Sequence, residues 1–155
     1  MKKLVFLTYA AICLWPLQAQ AQTKLSEVTP LSFGRFSVTS YNVSRDLTVD
    51  AATNSVSAAP EFVIETPPQR GEYRLEGFAP GTEITITIGE GELAAGAANA
   101  FTTVDYTVSP SPVVAGDDGD VVFYIGATLR TRGDGVFYDT GRYQDDLDIQ
   151  FDWIP

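Results

Sequence analysis

Along most of the chain, apolar and polar residues alternate with a period of two, the pattern of half-buried β-strands. Ile84, Ile86 and Ile88 alternate with Thr85 and Thr87, and Val104, Tyr106 and Val108 with Asp105 and Thr107. Leu147, Ile149, Phe151 and Trp153 alternate with Asp148, Gln150 and Asp152. Leu47 and Val49, Phe62 and Ile64, and Tyr73 and Leu75 repeat the pattern over shorter spans. The run Val121 to Leu129 is apolar on both faces at its start, which predicts a central strand covered on both sides. Leu31 to Val38 predicts an early strand in which the alternation slips by one at Gly34, the mark of a bulge.

Turn residues separate these runs: Pro67-Pro68-Gln69-Arg70-Gly71, Ala79-Pro80-Gly81, Ser109-Pro110-Ser111-Pro112, Gly116-Asp117-Asp118-Gly119-Asp120 and Arg132-Gly133-Asp134-Gly135. Their spacing suits a sandwich or barrel. No long segment holds a helical period. The alanine-rich stretch Leu93 to Ala100 is broken by Gly96 and Asn99 and reads as a loop, or at most one helical turn. The expected fold is an all-β, Ig-like or pilin-like antiparallel sandwich of about eight to ten strands. A transmembrane barrel needs alternating strands of about nine to eleven residues. The runs here are mostly shorter, so a soluble sandwich is the expectation.

The N-terminus follows different rules. Lys2 and Lys3 precede an apolar run from Leu4 to Leu17, and Ala19-Gln20-Ala21 follows with small residues at positions −3 and −1 of a cleavage site. This is the layout of a signal peptide, and the run is shorter than the roughly 20 residues of a membrane-spanning helix. Residues 1–21 are therefore expected to be cleaved, leaving a single domain over residues 22–155 in the periplasm, at the cell surface or outside the cell. A lipoprotein signal would need a small residue before Cys13, where Ile12 stands.

Composition then narrows the chemistry. The chain carries 10 basic and 20 acidic residues, a net charge of −10, and no histidine. Removing residues 1–21 takes away Lys2, Lys3 and the lone cysteine, Cys13, but no acid, so the mature net charge becomes −12. Its remaining basic residues are scattered among the acids. Such a surface disfavours nucleic acid and anionic lipid, both of which are held by basic clusters. Without mature histidine or cysteine there is no Ser-His-Asp or Cys-His arrangement, no thiolate and no histidine-bearing metal site. A chain of this size supports one core without disulfides.

The order of the glycine and core motifs resembles a known family. Leu31-x-Phe33-Gly34-x-Phe36 opens the domain, and Gly71-x-Tyr73-x-Leu75-x-Gly77-x-x-Pro80-Gly81-x-x-x-Thr85-Ile86 sits in its middle. Tyr124-Ile125-Gly126-Ala127-Thr128-Leu129 and Gly141-x-Tyr143-x-x-x-Leu147-x-Ile149-x-Phe151-x-Trp153 follow. Over residues 25–153 the chain resembles the bacterial secreted domain of unknown function family 4402, whose members are similar in outline to pilins and spore coat U-like subunits. It departs from the family pattern at Gln144-Asp145-Asp146, where a glycine is common, and in a longer loop from Thr131 to Thr140. The resemblance implies a sandwich and offers no reaction. Tyr143, just ahead of the last strand, is placed either as a corner tyrosine bonded back to the main chain or as a plain half-buried aromatic.

Four patterns are candidate sites. Glu72, Glu76, Glu90, Glu92, Asp145 and Asp146 supply carboxylates, but among charged, turn-like neighbours rather than in the apolar pockets that raise a pKa for acid catalysis. Asp117-Asp118-Gly119-Asp120 crowds oxygen ligands without the calcium-loop register, and Asp145-Asp146-x-Asp148-x-x-x-Asp152 is weaker, with Asp148 and Asp152 on one outward face. Arg132-Gly133-Asp134 spells an integrin-binding tripeptide within an ordinary turn. Tyr41, Phe137 and Tyr138 are candidate exposed aromatics. Neither cofactor nor metal is expected, and no catalytic residue is assigned.

The expected role is a non-catalytic exported structural or adhesive protein, a subunit of a chaperone–usher-type surface fibre. Its partners would be like subunits and a periplasmic chaperone and usher. Gln22 to Pro30 would then be the strand donated to a neighbour, although only Leu25 and Val28 in it are apolar. The alternative is a self-contained secreted or periplasmic module that binds carbohydrate or protein through the exposed aromatics.

Overall fold

The structure is a computed structural model, describing residues 23–89, 91–95, 98–144 and 146–154, with backbone alone for 92–95 and 98–100. The expected signal peptide, residues 1–21, lies outside the described residues. Those described form twelve strands and no helix. In chain order they are β1 (Lys24–Thr29), β2 (Arg35–Val38), β3 (Asp46–Val49), β4 (Val56–Ala58), β5 (Phe62–Thr66) and β6 (Gly71–Glu76). There follow β7 (Glu83–Ile88), β8 (Gly91–Ala95), β9 (Ala98–Ser109), β10 (Val113–Val114), β11 (Val121–Thr131) and β12 (Ile149–Trp153).

All pairing is antiparallel. One layer is a seven-stranded sheet centred on β11, and the facing layer consists of a three-stranded sheet, β10-β7-β12, and the pair β2-β5. Along one edge of β11, Val121 to Ile125 pair with β6, and Ala127 to Arg130 pair with β3. Along the other edge runs β9, itself paired with β8. One eleven-residue strand therefore joins two half-sheets.

The core divides in the same way. Tyr73, Leu75, Phe123 and Ile125 pack under Ile84, Val113 and partly buried Phe151 of the three-stranded sheet. Leu47, Val49, Ala127 and Leu129 pack with Phe33, Phe62 and Phe101 beneath β2-β5. Leu31 and Tyr106 border both clusters. This is an all-β sandwich, as its period-two pattern demands: Ile84 is buried and Ile86 and Ile88 partly so, while Thr85 and Thr87 face solvent.

Three details differ from expectation. The alanine-rich stretch is not a loop: β8 and β9 form a hairpin in which Leu93 pairs with Phe101 and Ala94 with Asn99. Pairing to a sheet that already exists outweighs the weak strand propensity of alanine and asparagine. The strand count exceeds eight to ten because β4 and β10, three and two residues long, are too short to show a period. The early strand starts at Arg35 rather than Leu31, with the register shift falling between Arg35 and Phe36 beside Gly34.

β11 is central, but a second layer covers only one of its faces. On the other face Val122 is exposed, the Arg70 guanidinium lies 3.6 Å from the Tyr124 ring centroid, and Thr128 shares a 2.9 Å hydrogen bond with Thr48. Long polar side chains cover there what a further layer would have covered.

Candidate functional site

Among the described residues the candidate carboxylates form no group of three. Glu76 is ion-paired with Lys24 at 3.7 Å and with Arg74 at 3.2 Å. Glu72 is half-buried on β6, in register with Tyr124 of β11. Glu90, Asp145 and the side chain of Glu92 lie outside the described residues. Asp50 and Glu61 are held below the usual carboxylate range, Asp50 by the Thr53 hydroxyl and backbone N–H, and Glu61 by the Arg45 guanidinium beside it. A general acid needs a shift in the opposite direction.

The acidic turn is tied into the fold. The Gly116 N–H donates to the Asp120 carbonyl at 2.8 Å, and the Asp120 N–H donates to the Asp118 carboxylate at 3.1 Å. The Asp120 carboxylate accepts from Arg74 of β6. Among the described residues no three acidic side chains gather as a metal-holding group. Asp148 and Asp152 are both exposed, as their shared outward face requires.

The tripeptide Arg132-Gly133-Asp134 is likewise engaged. Arg132 and Asp134 pair with each other at 2.8 Å, the Arg132 N–H donates to the Tyr138 hydroxyl at 3.0 Å, and Asp134 accepts from the Val136 N–H at 3.1 Å. A β-carbon on Gly133 would sit 2.2 Å from the Ser44 nitrogen, so this turn packs directly on the loop before β3. The two loops are laced further by Gly135 N–H to the Tyr41 carbonyl at 2.8 Å and by Arg45 N–H to the Thr131 hydroxyl at 2.8 Å.

That lacing brings the aromatic candidates together. Tyr41 and Phe137 have ring centroids 4.6 Å apart, and Tyr41 and Tyr138 5.7 Å. The three are not equally exposed, however. Phe137 is 76% exposed, Tyr41 is half-buried, and Tyr138 stacks on buried Phe101 at 4.6 Å as part of the core. Tyr143 is a corner tyrosine: its hydroxyl donates to the Asp139 carbonyl at 2.6 Å, and its ring meets Phe101 at 4.9 Å.

The feature that sequence reading missed is a free sheet edge. β7 pairs with β12 from Ile84 to Ile88, but on its other side β10 reaches only Glu83 and Ile84. Among the described residues no strand pairs with Thr85 to Ile88 on that side. In the facing layer β9 pairs with β8 up to Thr103, and among the described residues no strand pairs with Val108 on that edge. Between the two edges lies a cleft lined by Ile84, Ile86, Val108, Pro110 and Val113. The uncharged run Ile84 to Ile88 was visible in the sequence; its open side depends on β10 stopping after two residues. A second cleft, at the opposite edge, lies between β1 and β12 and is lined by Leu25, Glu27, Tyr73, Asp146, Leu147 and Ile149. Burial and the Glu27 charge push the Tyr73 phenol up to about 12.

Comparison with known families matches residues 23–152 to the family model described as Domain of unknown function (DUF4402). No curated protein and no solved structure matches the chain.

Proposed function

Given that the chain belongs to the family of domain of unknown function 4402, which carries no reaction to transfer, we propose a role from its own surfaces. The protein is a non-catalytic, exported structural or adhesive subunit of the cell surface that joins its neighbours by strand addition. The free edge of β7 is the observation that carries this reading. Natural sheet edges are guarded by charges, prolines or bulges because an open edge templates pairing with another chain. β12 is flanked and interrupted by Asp148 and Asp152, and β1 carries Lys24 and Glu27. Thr85 to Ile88 carries no charge, proline or bulge of its own, and Ile86 lines a mixed cleft with Glu83, Val108, Pro110 and Val113. Backbone groups supply affinity at such an edge, and side-chain pockets set which strand fits.

The donor is the N-terminal strand. β1 pairs with β6 in its own chain but buries little apolar surface there: Leu25 and Val28 are 36% and 56% exposed, and the Lys24–Glu76 pair is open to solvent. Exposed pairs of this kind contribute little. β1 is also electrically neutral on an acidic body, so it approaches a second copy without repulsion. Export rests on the sequence of residues 1–21, and a periplasmic chaperone and usher would supply and guide the subunits.

The reading is tested on the exported protein in two steps. Its mass should begin at Gln22. Sedimentation should show concentration-dependent polymers for the wild type and monomers for Ile86→Lys, whose charge guards the cleft. A wild-type chain that stays monomeric at all concentrations, with no chaperone present, overturns the strand-addition role.

A further inference from the structure

Beyond subunit joining, we infer that the apolar tip formed by the loops before β3 and after β11 is a binding site for neutral carbohydrate. Phe137 is 76% exposed, Val136 next to it in the chain is also largely exposed, and exposed Val43 lies in the loop that packs on Gly133 of the same turn. The structure holds them there rigidly. Tyr41 supports Phe137 at 4.6 Å with its ring tilted by 52°, Tyr138 carries Tyr41 onto the core, and the Gly135–Tyr41 hydrogen bond fixes the two loops to one another. A surface ordered in advance loses little freedom when it binds, and loops braced on a rigid scaffold are where recognition concentrates.

The chemistry of the tip selects the ligand. A pyranose presents an apolar C–H face about the size of an aromatic ring, and its hydroxyls point outward around that face. The two tilted rings offer such a face its match. The Arg132–Asp134 pair, part-exposed next to the tip, offers a planar donor and an acceptor to the hydroxyls while adding no net charge. Charge excludes the other sugars: without residues 1–21 the body has a net charge of −12 and no basic cluster, and repels uronate and sulfated chains.

The full exported chain is titrated with cellohexaose, chitohexaose, maltoheptaose and laminarihexaose by calorimetry, with heparin as the anionic control. At least one neutral oligosaccharide should bind, heparin should not, and Phe137→Ala should weaken binding about tenfold or more while leaving the melting temperature unchanged. Tyr41→Phe, which keeps the ring, should retain most of the affinity. The site is overturned if none of the four binds at millimolar concentration, if Phe137→Ala binds as well as wild type, or if heparin binds better than all of them. Polymer formation through β7 is scored separately, because neither variant touches β1 or β7.

Discussion

Gly126 lies so close to Val49 that a β-carbon on it would sit 2.2 Å from the Val49 carbonyl oxygen. The Ala51 nitrogen, in the same segment at the end of β3, is 2.5 Å from that point, and the Thr107 hydroxyl of β9 is 2.9 Å away. This is where β11 passes from its pairing with β6 to its pairing with β3, and opposite it β9 shifts register between Gly126 and Thr128, with Asp105 at a φ of 51°. The long strand can serve both half-sheets only if its backbone is approached this closely.

Gly126→Ala therefore forces the Val49–Ala51 backbone away from β11 and should cost about 3 kcal/mol or more. Gly89→Ala is the control, because its β-carbon meets nothing nearer than 3.7 Å. It should stay within about 0.5 kcal/mol of wild type. Urea denaturation of the two variants checks this.

Tyr143→Phe keeps the ring against Phe101 and removes the donor to the Asp139 carbonyl. The expected loss is about 1 kcal/mol, the usual net value of one hydrogen bond. Tyr143→Ala also removes the ring from the aromatic cluster and should cost clearly more. Thermal melting of the pair separates the hydroxyl from the packing.

Stability should fall at both ends of the pH scale, for opposite reasons. Tyr73 is pushed up to about 12 in the folded chain. Its contribution is complete below the ordinary tyrosine value near 10 and is lost as pH rises from there through 12. Asp50 and Glu61 are lowered on folding, so their contribution is complete above the ordinary carboxylate values and is lost as pH falls through the depressed ones. Melting temperatures across pH should show Tyr73→Phe flattening the alkaline limb alone, and Asp50→Asn with Glu61→Gln flattening the acid limb alone.

How far the sequence foretold this molecule depended on whether a feature is local. The inward faces of β7 and β12 follow from period two and were legible, whereas position alone left Tyr143 open between a corner tyrosine and a plain half-buried aromatic. The β8–β9 hairpin was not legible, because Ala94 and Asn99 are strand residues only through their partners. The aromatic tip was half legible: Tyr41 and Phe137 were named, but only the lacing of two loops distant in sequence brings their rings together and turns Tyr138 inward. The free edge of β7 was hidden in the same way. Its residues were plain to see, whereas its missing partner is a property of the whole sheet.

Strand exchange is tested most directly by locking β1 at home. Ser26 and Arg74 are register partners across β1 and β6, and residues 22–155 contain no cysteine. In the Ser26→Cys, Arg74→Cys double variant, the oxidised form has β1 clamped to β6 and the reduced form does not. Sedimentation should find monomers when the disulfide is formed and polymers when reductant opens it. Polymers from the oxidised chain, or monomers from the reduced one under conditions where wild type polymerises, would contradict strand donation by β1.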